Sequence, residues 1–176
     1  MSVARIVRTL AAALLGLALA ACAPPPDGGT LRDLNVPIGV TSRYDDARFG
    51  GAWQVRGAYP VDGDLVTVER IGRVQDGAAW ILAAQPCPTC PVSQTTWVGE
   101  VDVPGADRLR SPTGAMRRAV VIWVDEGFRT GAIADPDGQF AWVLDRNATG
   151  GADRIKAARQ ILEFSGFDLA TMRMRP

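Results

Sequence analysis

The 176-residue chain carries 19 lysines and arginines against 19 aspartates and glutamates, so it offers nucleic acid no basic excess. It contains no histidine, which excludes His-based catalytic triads, His metal ligands and the commonest general base.

The first element is an N-terminal address. Arg5 and Arg8 precede an Ala-, Leu- and Gly-rich run over 9–21. That run is shorter than the roughly 20 apolar residues a bilayer span needs. A basic start, a short apolar core and small residues at the end describe a secretory signal. Leu19-Ala20-Ala21-Cys22 resembles the lipobox of bacterial lipoproteins. The resemblance implies cleavage before Cys22 and acylation of that cysteine, and two or more acyl chains anchor a protein stably. Ala23, rather than Asp, after the cysteine implies the periplasmic face of the outer membrane by the same resemblance. The expected layout is a signal peptide over 1–21, a lipidated Cys22 with a flexible spacer over 22–42, and one folded domain over 43–176. Removing 21 of 176 residues leaves 155, which suits a single domain with a real core. Arg5 and Arg8 leave with the signal, so 17 basic residues face 19 acidic ones, a net charge of −2 before the termini.

Short apolar runs separated by Gly, Pro and Asp follow. Strands are predicted over 52–59, 65–71, 78–84, 93–103, 107–111, 118–125, 128–134 and 139–146, with Asp-Gly, Glu-Gly and Pro-Asp-Gly turns between many of them. In the first, Trp53, Val55 and Gly57 alternate with Gln54 and Arg56. Residues 152–166 change period: Ile155, Ala158, Ile161 and Leu162 lie at helical spacing, and Gly166 is a natural C-terminal stop. The tail "DLATMRMR" has room for one more short strand. Eight strands followed by one helix is not a βα alternation. The order fits an all-β, eight-stranded up-and-down antiparallel barrel with one C-terminal α-helix packed outside.

Two stretches resemble the lipocalin family, in particular its bacterial outer-membrane lipoprotein type. "RYDDARFGGAWQV" (43–55) holds an aromatic, Phe49, ahead of Gly51-Ala52-Trp53. "VDEGFRTGAIADPDGQFAWVLDR" (124–146) holds Asp125, Phe128, Pro136, Phe140, Trp142, Leu144 and Arg146 in the family's order. The end, 166–176, is similar too, whereas 60–117 carries no family motif. Phe140, Trp142, Leu144 and Arg146 share one parity, hence one face of the last strand. First and last strands are neighbours in a barrel, so Arg146 is placed to lie over the ring of Trp53. The resemblance implies that this pair closes the barrel floor, a structural role.

Cys87 and Cys90 form a C-x-x-C. A local disulfide clip, a free dithiol and a redox or metal role are all open. The clip is the stronger reading, because no βαβ unit surrounds the motif, two cysteines fall short of a zinc site, and the exported compartment is oxidising. Asp62, Asp64, Asp135 and Asp137 each sit beside Gly or Pro and read as turn residues. No metal site, cofactor or enzymatic centre is expected. Candidates for a ligand-cavity wall are Phe140 and Trp142, then Trp123 and Trp97, whose runs are apolar on both faces. The resemblance implies binding of a small hydrophobic or amphiphilic ligand of the fatty acid or lysophospholipid class, for lipid storage, transport or envelope maintenance. Two rivals stand beside it: a partner-binding envelope lipoprotein whose barrel is filled by its own tryptophans, and a periplasmic thiol-redox protein using Cys87 and Cys90.

Overall fold

The computed structural model describes residues 29–74 and 77–175. The signal peptide, Cys22 and the start of the spacer lie outside the described residues. A four-residue helix, α1 (Asp46–Phe49), leads into eight strands: β1 (Gly51–Ala58), β2 (Leu65–Val74), β3 (Gly77–Ala84), β4 (Ser93–Val103), β5 (Ala106–Arg110), β6 (Met116–Val124), β7 (Thr130–Ala134) and β8 (Ala141–Asp145). Each strand pairs antiparallel with the next, and β8 returns to β1, where Val55 faces Leu144. The sheet therefore closes into the expected up-and-down barrel. Helix α2 (Ala152–Phe164) packs outside over β6, β7 and β8. The tail adds β9 (Arg173–Met174) beside the end of β1, with Gly57 opposite Met174.

The strands have two apolar layers. The interior holds Trp53, Val55, Val68, Trp80, Leu82, Trp97, Leu109, Val121, Phe140, Trp142 and Leu144. The outer layer, under α2, joins Ala132, Ala134, Ala141 and Val143 of β7 and β8 to Ile155, Ala158 and Leu162 of the helix. Alanines on both surfaces let helix and sheet approach closely, and full burial of a side chain such as Leu162 contributes about 1.5–3 kcal/mol. The helix stops as its sequence predicts. Gly166 takes φ 88°, its N–H reaches Glu163 O, and the Phe167 N–H reaches Leu162 O.

Three expectations change. The spacer was expected to run to 42, but the described part of it is folded onto the barrel. Leu31 N–H bonds Gly138 O, Asp33 N–H bonds Gly166 O and Thr41 N–H bonds Val121 O. Arg32 is buried, donating to Ser165 O, Pro136 O and Val36 O, with its guanidinium beside the Phe167 ring. The folded domain thus begins by Leu31, not at 43. In β1 a bulge between Val55 and Gly57 breaks the simple alternation: Ala58 joins the interior, and Gly57 lies in van der Waals reach of Met174 on the outside. In β6 a second bulge between Val121 and Trp123 turns Trp123 outward into the helix layer and Val124 inward.

The turn from β6 to β7 shows how local chemistry builds the closed end. Phe128 adopts φ 54° and drops its ring into the interior. Asp125 holds that turn by accepting the N–H groups of Arg129 and Thr130 and the Arg129 side chain. Burial pushes the Asp125 carboxyl up, but the bonds from Thr130, Arg129 and Gly127 outweigh it and hold it below its ordinary range.

Gly99 sits where β4 and β5 leave no room for a side chain. It pairs with Leu109, and a Cβ built there would stand 1.7 Å from the Arg108 carbonyl oxygen and 2.9 Å from the Leu109 Cα. Both obstacles are backbone, so β4 and β5 would have to separate. Gly99→Ala is expected to cost roughly 1–3 kcal/mol of stability. Gly39→Ala, where a Cβ meets nothing within 4 Å, serves as the neutral control in the same urea titration. Equal midpoints for the two variants would show that the strands part freely.

Candidate functional site

An antiparallel barrel sorts its loops into two ends. The turns after β4 and β6 and the segment after β8 lie at one end, with α1. The loops 59–64, 85–92, 111–115 and 135–140 lie at the other.

The first end is shut. The Arg146 guanidinium stacks 3.6 Å above the Trp53 ring and donates to the carbonyl oxygens of Ala52, Arg48, Phe49 and Gly50. Trp53 Nε1 donates to Phe49 O at 2.8 Å, and the Phe49 ring lies 4.9 Å from the Trp53 ring. Burial lowers the Arg146 pKa somewhat. The juxtaposition expected from strand parity is present. Above it, Arg70 of β2 crosses the interior to Asp107 of β5, Nε to Oδ2 at 2.7 Å, and Trp80 Nε1 donates to the same oxygen at 2.8 Å. Arg70 also reaches Asp46 of α1 at 2.7 Å, and Tyr44 donates to that Asp46 carboxylate at 2.9 Å. Burial, foremost, raises the Tyr44 pKa well above its ordinary value, so it stays a neutral donor.

The second end is a mouth. Its loop between β1 and β2 is six residues long and includes a 3₁₀ turn, Pro60–Asp62, that aims Asp62 inward. Asp62 meets Arg117 of β6, on the opposite wall, through two parallel bonds of 2.9 and 2.8 Å, and also accepts from Trp142 Nε1 at 2.9 Å. The Arg117 guanidinium sits among three rings: Trp97 at 5.0 Å, Phe140 at 4.9 Å and Trp142 at 5.9 Å. Phe140 and Trp142 pack with centroids 4.5 Å apart. Over this cluster, between the start of β4 and the β5–β6 hairpin, an open recess of about 730 Å³ has Trp97 and Arg117 in its wall and Thr95, Ser111 and Thr113 around them.

Three of the four predicted wall residues, Phe140, Trp142 and Trp97, are therefore brought together at the mouth. Trp123 is not: the β6 bulge carries it to the outer layer. Cys87 and Cys90 are joined as a disulfide in the mouth loop between β3 and β4, with Gln85 Nε2 donating to Cys90 O. Asp135 behaves as a turn residue, accepting from the N–H groups of Asp137 and Gln139, with burial raising its pKa. Asp62 does not. Expected as a turn aspartate, it is a buried counter-ion to Arg117. Arg117 was missed although a signal existed, because it shares strand parity with Ala119 and Val121, both interior.

The geometry is matched by solved structures. Apocrustacyanin C1 superposes with a TM-score of 0.58 over 80% of this chain and 91% of that one, at 8% identity. Lobster apocrustacyanin A1 gives a TM-score of 0.58 over the same shares at 9% identity. The siderocalin Ex-FABP gives 0.51 over 73% of this chain and 94% of that one, at 15% identity. The chain has a lipocalin fold. No protein-family model matches it, and no curated protein does. At these identities the likeness speaks of the fold. At the second end of this barrel the Asp62–Arg117 pair lies over the buried rings of Phe140 and Trp142.

Proposed function

We propose that this protein is a binding protein of the bacterial envelope, tethered to the outer membrane through acylated Cys22, that takes one small amphiphile of the fatty acid or lysophospholipid class at the barrel mouth. Its action is burial rather than chemistry, serving lipid storage, transport or envelope maintenance. The observation that carries this reading is the arginine set among three aromatic rings beneath an open recess. The recess lies in the size range of small-molecule sites, and apolar walls with a few polar groups are their usual make-up. An anionic or zwitterionic head pairs with Arg117, and the first carbons of the chain lie on Trp97. Apolar contact contributes about 25 cal/mol per Å². A siderocalin described as having dual ligand specificities shares the fold and is consistent with a site of this kind.

A second reading has its own observation. Trp53, Trp80, Trp142 and Arg70 are all less than 2% exposed, so the barrel's own side chains fill its depth. On that reading the outer surface serves a protein partner.

The test titrates the full chain in neutral detergent with a fluorescent fatty acid and competes with lysophosphatidylcholine. One-site saturation is expected, weakened about tenfold by Trp97→Ala, which corresponds to about 1.4 kcal/mol. Failure of a folded protein to bind either probe would move the weight to the partner-binding reading.

A further inference from the structure

A second cleft lies on the outside of the barrel, where Arg175 of its lining also donates through Nη2 to Gly63 O of the loop between β1 and β2 at 2.8 Å. It has a volume of about 400 Å³ and runs between β1, the β9 tail and the first two turns of α2. Four cations line it: Arg56 of β1, Lys156 and Arg159 of α2, and Arg175 of the tail. Among the described residues none of the four is in an ion pair with an acid. On α2, Asp153 lies three residues before Lys156 and Glu163 four residues after Arg159, both exposed and neither paired with them.

Arg56 is the telling member. It is only 5% exposed, yet a guanidinium this deep is bonded through one nitrogen alone: Nη1 donates to Asn147 O at 3.2 Å and Gly150 O at 3.1 Å. Its Nε is buried without a partner, and so is the Nε of Arg159 across the cleft. A charged donor taken out of water and left unbonded is costly, and the cost is removed by an acceptor that carries negative charge. The helix adds to the same field. Residues 152, 155, 156 and 159 form one stripe of α2, and its N-terminus, at Gly151, has no side-chain cap. Ile155 and Met174 supply an apolar wall beside the cations.

We propose that this cleft binds a phosphate-type oxyanion, held between Arg56 and Arg159 with Lys156 and Arg175 at its rim. A tetrahedral oxyanion presents its acceptors in three dimensions and can serve guanidinium forks converging from both walls of the cleft, whereas the acceptor sites of a carboxylate lie in one plane. The anion has two sources, a free phosphate or the phosphodiester of a lipid headgroup, and the apolar wall would suit the glycerol of the latter. The cleft shares no lining residue with the recess at the mouth, so it stands whether or not an amphiphile binds there.

Calorimetry on the full chain in neutral detergent, at fixed ionic strength, decides it. The probes are inorganic phosphate and glycerophosphoglycerol, a headgroup diester without acyl chains. Saturable one-site binding of at least one probe is expected, with the dissociation constant raised at least tenfold in the Lys156→Gln, Arg159→Gln double variant. Lys156 is exposed and Arg159 half-buried, and a thermal melt checks that the double variant folds. Tighter phosphate would assign the free anion, and tighter diester the headgroup. No saturable heat at millimolar probe, or unchanged binding in the double variant, would overturn the site. So would a loss confined to Arg56→Gln, since that residue also ties down the segment before α2.

Discussion

Asp107→Ala is expected to lower the unfolding free energy by about 3–5 kcal/mol, the usual cost of stripping one partner from a buried ion pair. Arg70 and Asp107 are each 1% exposed, and Asp107 serves three donors: Nε and Nη2 of Arg70 and Nε1 of Trp80. With Asp107 gone, Arg70 keeps the Tyr44 ring at 5.9 Å and, as its one paired acid among the described residues, Asp46, whose side chain is 45% exposed and correspondingly screened. The loss is a property of the orphaned charge, not of the pair's net worth. The double replacement Arg70→Met with Asp107→Leu should therefore recover most of it, leaving the Trp80 N–H unbonded at a cost of about 1–3 kcal/mol. Urea unfolding followed by tryptophan fluorescence measures both. A single-variant loss under about 1 kcal/mol would mean that Asp46 alone holds the guanidinium.

Trp53→Ala should be as damaging, at about 3–5 kcal/mol, because it empties the floor of the barrel. The sharper quantity is its coupling to Arg146. The cation over the ring contributes about 0.5–2 kcal/mol, and the same guanidinium binds four carbonyl oxygens of the segment that leads into Trp53. Removing the ring leaves Arg146 without its platform. Removing Arg146 takes that donor from all four carbonyls and leaves Phe49 O with Trp53 Nε1 alone. The double-mutant cycle for Trp53→Ala and Arg146→Ala should therefore show an interaction of about 1 kcal/mol or more, beyond the 0.3–0.5 kcal/mol within which independent sites add. Arg146→Lys should not rescue, since an ammonium lacks both the flat face and the fork that reaches several carbonyls. Additive losses would reduce Arg146 to a surface residue near a core tryptophan.

Much of this floor was legible in residue order. Alternation over 139–146 assigns Phe140, Trp142, Leu144 and Arg146 to one face, and barrel closure makes the first and last strands neighbours. The helix was legible for the same reason, since Ile155, Ala158 and Leu162 repeat at 3.6-residue spacing and Gly166 supplies the left-handed stop. The mouth was not. Asp62 sits beside a glycine in what reads as an ordinary turn, and nothing local says that its carboxylate spans the barrel to Arg117. Trp123 shows the complementary failure: its run is apolar on both faces, so only the β6 bulge decides its direction.

What the order of residues determined by itself was the set of strands, their turns, the single helix after the last of them, and the absence of histidine chemistry. These follow from short-range physics, because side-chain parity and turn preference act over a few neighbouring residues. The tertiary structure alone decided where the two bulges fall, which charges meet across the interior, and that Arg32 straps residues 31–42 onto the barrel. It alone brings Arg56, Lys156, Arg159 and Arg175, which lie up to 119 residues apart in the chain, into one cleft. Such pairings are set by strand register and closure, long-range quantities in which a shift of one residue carries a side chain to the other face of the sheet.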